Sequence, residues 1–255
     1  MNVKGLLLDL DGTLYTESGP VEGAREALAR LEGAGIPYRY VTNTTRRPRR
    51  EIVARLEDMG FSVREKLVFT PAAAANIKLR GRPCYLLVAE ALLEDLDGLE
   101  FASVSPEYVL VGDLGEDFTY ARLNAAFRQL MGGAELIALQ KNRYWETEDE
   151  LSLDAGPFVT ALEYASGKAA TVIGKPEAPF FEAAITDLEL DTREVAMVGD
   201  DVETDVAGAQ KAGLRGVQVK TGKYRAGIPA RGAEPDLVLD SVAELPEALG
   251  IQMGR

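Results

Sequence analysis

The 255 residues amount to one or two domains at about 150 residues each, and 46% hydrophobic with 27% charged residues is the composition of a globular chain, which excludes a disordered or fibrous one. Lys and Arg number 28 against 41 Asp and Glu, a net −13 that disfavours nucleic acid and anionic membrane surfaces as partners and means that any anion site must be built locally. With no histidine and one cysteine, Cys84, the chain excludes imidazole bases, Ser-His-Asp triads, His-ligated metals, intramolecular disulfides and thiolate zinc sites.

Taken in order, the predicted elements alternate strand and helix. Val3 to Leu10 is a short apolar run ending in acids, the pattern of a buried strand. From Glu22 to Ala34, the residues Ala24, Ala27, Leu28 and Leu31 form a helical stripe that stops at Gly33 and Gly35. Pro37 to Thr42 predicts a second strand. Pro48 to Met59 predicts a helix, with proline suited to its first position and Gly60 to its end. Leu67 to Thr70 is a short strand and Pro71 to Leu79 a helix. This alternation implies right-handed βαβ units and a parallel sheet covered on both faces.

A hinge-like stretch, Arg80 to Pro83, opens a second series: strand Cys84 to Ala89, a helix near Leu92, strand Tyr108 to Val111, helix Thr119 to Met131, strand Leu136 to Leu139 and helix Pro157 to Ala165. The stretch TVIGKP leads back to helix Pro179 to Leu188, strand Val195 to Val198, helix Thr204 to Ala212, strands Gly216 to Val219 and Leu237 to Leu239, and a terminal helix near Leu245. Cys84 sits in the apolar run CYLLVA and reads as a small buried hydrophobe. No run reaches the roughly 18 apolar residues needed to span a bilayer. The N-terminal apolar stretch acquires two aspartates at once and lacks a small-residue cleavage site, so no signal peptide is expected. The simplest expectation is a soluble cytoplasmic protein.

The chemistry begins where the first strand ends, at Asp9-Leu10-Asp11-Gly12-Thr13. In an open parallel sheet the carboxyl ends of the strands form the ligand-binding edge. Two carboxylates one residue apart point to opposite faces of a strand, but at its end the chain can turn and bring both to one site, with Gly12 easing the turn. An EF-hand loop also opens on DxDG. Counted from Asp9, however, its sixth position would be Leu14 instead of Gly and its twelfth Pro20 instead of Glu. What remains is a pair of solvated turn acids or a Mg²⁺ site with a nucleophilic carboxylate, since hard cations prefer oxygen ligands.

DLDGTL after an apolar strand resembles the first motif of the haloacid dehalogenase superfamily of phosphohydrolases, and three further stretches match that family in order. Thr42-Asn43 resembles the second motif, a hydroxyl that hydrogen-bonds the transferring phosphoryl group; a helix N-cap is the alternative, for which Thr44 or Thr45 would serve as well. Lys175 in TVIGKP resembles the third, a compact point charge that offsets repulsion between Asp9 and a phosphate dianion. Val198-Gly199-Asp200-Asp201 with Thr204-Asp205 resembles the fourth, where Asp200 would complete the Mg²⁺ shell and Asp201 and Asp205 would orient Lys175 or bound water; an acidic helix start is the other reading, and both can hold at once. YVLVGD at Tyr108 to Asp113 nearly duplicates VAMVGD, but Asp113 lacks a following acid and precedes Lys175, so it is not expected to bind metal. The run Arg46-Arg47-Pro48-Arg49-Arg50 has no interleaved aromatics and reads as a solvated helix start, with contact of one arginine to an anionic substrate as the alternative.

The insertion between the second and third motifs spans roughly 90 residues, enough for a small domain. It resembles the large α/β cap of subfamily IIA, as in NagD-type and p-nitrophenyl-phosphatase-like proteins. The pieces GDLGEDFTYARL, ALQKNRYW and AGPFVTALEYASGKAATVIGKP resemble most the branch containing phospholysine phosphohistidine inorganic pyrophosphate phosphatase. Gln140, where those relatives often carry histidine, and Asp154-Ala155-Gly156, where they often carry a Gly-rich turn, are departures within the cap. The implied fold is a doubly wound parallel-sheet α/β core of Rossmann type in two parts, 1–79 and 173–255, around an inserted α/β cap, 80–172.

The implied activity is Mg²⁺-dependent hydrolysis of small-molecule phosphate monoesters, pyrophosphate or phosphoramidates through an aspartyl-phosphate on Asp9. Asp11 would be the acid and base, and its backbone carbonyl would touch Mg²⁺ beside Asp9 and Asp200. Asp11, Gly12, Thr42, Asn43, Lys175 and, from the cap, Arg143 would bind substrate, with Tyr144 a further cap contact. Surface or core packing is the alternative for Arg143 and Tyr144. Cap-mediated dimers occur in the subgroup, so the resemblance allows a homodimer through the cap; nucleic acid and membrane partners are not expected. Three rivals stand beside this reading. A phospho-acceptor receiver domain would lack the insertion and the need for Asp11, a dehalogenase would use no Mg²⁺ and no carboxylate at Asp11, and an idle scaffold would work through its cap surface.

Overall fold

In the computed structural model, which describes residues 1, 3–146, 151–224 and 233–251, the opening apolar run forms the strand Gly5–Asp9, all five residues buried. It is flanked in parallel by Val195–Gly199 on one side and Tyr38–Val41 on the other. The full sheet runs Leu237–Leu239, Arg215–Val219, Val195–Gly199, Gly5–Asp9, Tyr38–Val41, Val68–Phe69, all parallel. From Gly5–Asp9 the chain builds outward in one direction through Tyr38–Val41, and in the other through Val195–Gly199. The order therefore reverses beside the first strand, the place where open α/β sheets bind ligands. Leu6, Leu8, Tyr40, Ala196, Val198, Val217 and their neighbours form this sheet's core, into which the helix Ala24–Gly33 sends Ala24, Leu28 and Leu31.

A second parallel sheet runs Thr171–Val172, Glu135–Ala138, Tyr108–Val111, Pro83–Leu87, Glu100–Phe101. Its core includes Val109, Val111, Leu130, Leu136 and Leu162, with Phe118 stacked on Phe158 at 3.9 Å between ring centroids. Two of its helices start on side-chain caps. Thr119 accepts from the Arg122 N–H ahead of Tyr120–Met131, and Asp154 from the Ala155 N–H ahead of Ala155–Ser166.

The chain divides into two units, each with one of these sheets: Met1–Thr42, Arg50–Phe69 and Lys175–Arg255 in the first, Asn43–Arg49 and Thr70–Gly174 in the second. The helix Pro71–Lys78 falls in the second because it packs on the segment Glu90–Leu96, where the Asn76 amide donates to the Asp95 carbonyl at 2.7 Å. Segment 43–49 joins it because Asp95, buried, accepts from both the backbone N–H and the Nε of Arg49, and Thr45 Oγ1 accepts from the Asp113 N–H. Arg49 is thus ion-paired, not merely solvated.

Several elements differ from expectation. The helix near Leu92 is a 3₁₀ segment, Glu90–Leu96, and the terminal helix is a 3₁₀ turn, Val242–Glu244, followed by the short α-helix Leu245–Ala248. Thr171–Val172, which opens the stretch TVIGKP, is a strand that pairs with Glu135–Ala138 at the edge of the second sheet, and the chain returns to the first unit at Lys175. Three short pieces carried too few residues to show a period: the hairpin Tyr15–Thr16 with Gly19–Pro20, the strand Glu100–Phe101, and the hairpin Tyr144–Glu146 with Leu151–Leu153. The helix expected over 204–212 begins earlier, as a π-helical turn Val202–Ala207 that continues into Gly208–Lys211. Among the described residues, no helix is long and apolar enough to cross a membrane.

Candidate active site

The site is built at the carboxyl ends of Gly5–Asp9 and Val195–Gly199. Their register pairs Leu8 with Val198, so Asp9 lies beside Gly199 and Asp200 follows immediately. Asp9, Asp200 and Asp205 are all buried, and each offers a carboxylate oxygen within 4.8 Å of the others. Lys175, also buried, donates to Asp9 Oδ1 at 2.5 Å and to Asp205 Oδ1 at 2.7 Å. Thr13 Oγ1 stands 3.5 Å from the other oxygen of Asp9. The π-helical turn carries Asp205 to this position, and the Asp201 N–H donates to Asp205 Oδ2 at 3.3 Å.

The turn after the first strand is tight. Gly12 donates to the Tyr15 carbonyl at 2.7 Å, and Thr13 and Leu14 donate back to the Leu10 carbonyl. Gly12 has φ 83°, and a β-carbon there would fall 2.1 Å from Asp200 Oδ2, so only glycine allows the two motifs to approach this closely. Asp11 is exposed, unlike Asp9. It interacts with the buried hydroxyl of Tyr15, whose ring is covered by the Arg55 guanidinium at 4.8 Å from the centroid. Thr42 is buried, one residue beyond Val41, the sheet partner of Asp9.

Burial pushes the Asp9 carboxyl above the usual aspartate range; Lys175 opposes this, and the negative charges of Asp200 and Asp11 reinforce it. Asp200 is raised chiefly by burial, against the Lys223 N–H. Burial raises Asp205 too, with Lys175 again opposing. For Lys175, burial acts downward, but Asp205 and then Asp9 outweigh it and hold the ammonium above its ordinary value. Two of the three buried carboxylates, Asp9 and Asp205, thus share the buried Lys175 ammonium while Asp200 takes the Lys223 N–H, a cluster made entirely of oxygen donors with more carboxylates than ammonium groups. That donor set fits a hard divalent cation of the Mg²⁺ kind.

Of the residues singled out in the sequence, the structure therefore brings together Asp9, Gly12, Lys175, Asp200 and Asp205. Asp205 belongs to the carboxylate cluster itself as well as orienting Lys175. Asp201 caps the helix start, its Oδ1 accepting from the Glu203 and Thr204 N–H groups, while its Oδ2 accepts from Lys223 Nζ at 3.1 Å and its own N–H donates to Asp205. Burial acts upward on the Asp201 carboxyl, and the Thr204 N–H and Lys223 together hold it below the usual range. Asn43 and Arg143 belong to the second unit, where Arg143 is exposed with its guanidinium 5.9 Å from the Tyr144 ring centroid. Asp113 is buried in that unit as well, with Oδ1 accepting the Gly115 N–H at 2.8 Å. Sequence reasoning missed the turn Thr221-Gly222-Lys223, which contacts both Gly12 and Asp200. Its one available signal was its place directly after an apolar strand, on the same edge that singled out Asp9.

A family model of haloacid dehalogenase-like hydrolases matches residues 6–102, and a second, HAD-hydrolase-like, matches residues 172–245. The chain is 45% identical over 226 residues to haloacid dehalogenase-like hydrolase domain-containing protein 2 of Bos taurus, covering 88% of this chain and 86% of that one. It is 40% identical over 252 residues to phospholysine phosphohistidine inorganic pyrophosphate phosphatase of Danio rerio, covering 95% and 91%. Among solved structures, it resembles a putative p-nitrophenyl phosphatase from Bacillus subtilis with a TM-score of 0.89 and 27% identity, over 100% of this chain and 99% of that one. The chain belongs to the haloacid dehalogenase-like hydrolase family. Within that family it is an enzyme of the phosphatase class.

Proposed function

We propose that the protein is a Mg²⁺-dependent phosphatase that hydrolyses small-molecule phosphate monoesters, or pyrophosphate or phosphoramidates, through an aspartyl-phosphate on Asp9. The observation that carries this reading is the buried Asp9 carboxylate at a strand end, held at 2.5 Å by Lys175 and grouped with Asp200 and Asp205. Asp9 and Asp200, with the Asp11 backbone carbonyl, are the residues that would hold Mg²⁺, which when bound supplies positive charge against the repulsion between Asp9 and a phosphate dianion.

Asp9 attacks phosphorus in line: its carboxylate oxygen forms the new bond to phosphorus as the bond to the leaving oxygen breaks. Asp11 gives that leaving oxygen a proton. In the second step Asp11 takes a proton from water as the water attacks the phosphoaspartate, which releases phosphate and restores Asp9. The exposure of Asp11 suits a group that must exchange protons with water and leaving group, whereas burial suits the nucleophile. Lys175 fixes one oxygen of Asp9 and, with the Thr42 hydroxyl and the backbone of Asp11 and Gly12, counters charge on the phosphoryl oxygens. Asn43 and Arg143 enter as substrate contacts from the sequence resemblance alone. A non-catalytic phospho-acceptor or scaffold is the less favoured reading, since it gives Asp11 nothing to do.

Release of inorganic phosphate from p-nitrophenyl phosphate tests the proposal. Turnover is expected with Mg²⁺ and is expected to vanish with chelator or in Asp9→Asn; Asp11→Asn is expected to slow both chemical steps while leaving substrate binding largely intact. Robust turnover by Asp9→Asn without Mg²⁺ overturns the assignment.

A further inference from the structure

The turn Thr221-Gly222-Lys223 follows the strand Arg215–Val219, next but one to the first strand in the sheet, and no motif of the site includes it. It nevertheless touches three separate parts of the carboxylate cluster's frame. The Lys223 N–H donates to Asp200 Oδ2 at 2.7 Å. The Thr221 hydroxyl donates to the Gly12 carbonyl. Lys223 Nζ lies 3.1 Å from Asp201 Oδ2, on the residue whose other oxygen caps the turn carrying Asp205.

Gly222 makes this approach feasible. Its φ is 58°, and a β-carbon there would fall 2.1 Å from Asp200 Oδ2 and 2.6 Å from Gly12 Cα. Gly12 stands in the same relation to that oxygen from the other motif. The Asp200 carboxylate is therefore enclosed between two glycine backbones, with one oxygen fixed by an amide. A carboxylate held in one rotamer loses less freedom when it takes a ligand, and groups that orient such a carboxylate tune its affinity by about 10-fold to 100-fold.

We infer that Thr221-Gly222-Lys223 is a positioning clasp that ties the turn after the first strand to Asp200 and sets the orientation in which Asp200 meets a divalent cation. The inference rests on the proposed Mg²⁺ site, and deepens it by assigning a role to residues that touch neither substrate nor the reacting atoms.

Calorimetric titration of Mg²⁺ into the purified protein tests this without recourse to turnover. Thr221→Val keeps the side-chain shape and removes the donor to Gly12; it is expected to weaken Mg²⁺ binding about 10-fold, and Thr221→Ser to return it to within about twofold of wild type. Gly222→Ala is expected to weaken it further. Because that variant also strains the backbone, the decision rests on the Thr221 pair. At saturating Mg²⁺ the KM for p-nitrophenyl phosphate is expected to stay within about twofold, so the defect sits in cation binding and not in substrate binding. Thr221→Val and Gly222→Ala binding Mg²⁺ like wild type, while Asp200→Asn does not, overturns the clasp and leaves the phosphatase reading standing. A wild-type protein that takes up no Mg²⁺ overturns both.

Discussion

The molecule contains nearly the same six residues twice, VAMVGD ending the strand Val195–Gly199 and YVLVGD ending Tyr108–Val111. Both strands are parallel, apolar and central in their sheets, and both aspartates are buried. Their neighbours separate them. Asp200 follows a strand paired with Gly5–Asp9, so a second carboxylate lies alongside. Asp113 follows a strand set between Pro83–Leu87 and Glu135–Ala138, which continue into Val88 and Leu139. A β-carbon at Gly199 would meet Asp205 Oδ2 at 2.2 Å, whereas one at Gly112 would meet Leu139 and Val88 side chains at 3.1 and 3.3 Å. The Asp200 carboxylate thus joins a charged cluster, and the Asp113 carboxylate takes the N–H of its own turn at Gly115. Two nearly identical strand ends thus take their different surroundings from the strands beside them.

Four experiments break or sharpen that contrast. The largest effect is expected from exchanging carboxylates across it. Asp9→Asn should lower kcat for p-nitrophenyl phosphate by about 10⁴-fold or more, because it removes the proposed nucleophile, whereas Asp113→Asn should stay within about threefold. Comparable losses from both would erase the distinction drawn between the two edges.

Next in size is Lys175→Met. Removing one partner of a buried ion pair leaves uncompensated charge and typically costs about 3–5 kcal/mol. Here Asp9 and Asp205 would both lose the ammonium, so a marked fall in denaturation midpoint is expected in chelator. Mg²⁺ should recover part of it, since cation binding to the folded state adds stability. A midpoint unchanged in chelator would show that Lys175 does not balance this cluster.

A smaller effect is expected in the second unit from Asp154→Ala. It deletes the cap of Ala155–Ser166 and the acceptor for the Gln140 amide, and should cost about 1–2 kcal/mol in urea unfolding while sparing kcat in comparison with Asp9→Asn. A loss of kcat on the Asp9→Asn scale would give this acid a catalytic place it has not been assigned.

The smallest signal concerns Cys84. Burial, reinforced by Glu107 and opposed by Arg82, pushes its thiol up to about 11, so it stays protonated at pH 8. A thiol reagent should label it only after denaturant is added, and labelling of the native protein should rise only as pH climbs well above the ordinary cysteine range. Stoichiometric labelling of the native protein at pH 7 would mean that this strand opens readily.

Much of the architecture was legible in local pattern. The stripe Ala24, Ala27, Leu28, Leu31 is buried as its spacing required, Tyr108–Val111 and Leu237–Leu239 form strands with the expected ends, and Pro71 opens its helix behind the Thr70 cap. Period and capping are properties of neighbouring residues, so they survive without knowledge of the fold. Asp9 and Asp200 could also be named from the sequence, because a carboxylate after an apolar strand lies on a sheet edge wherever that sheet goes; Lys175 could be named only through its resemblance to a family motif.

Only the tertiary structure decided who meets whom. It set Asp205 into the carboxylate cluster through a π-helical turn, gave Asp201 to the cap and to Lys223, and brought Thr221-Gly222-Lys223 against Gly12 across more than two hundred residues of chain. Sequence determined which residues end each strand, since that follows from hydrophobicity a few positions either way. Strand order determined which of those ends share a site, because charges interact across space and not along the backbone, and no local pattern records which strand will lie beside which.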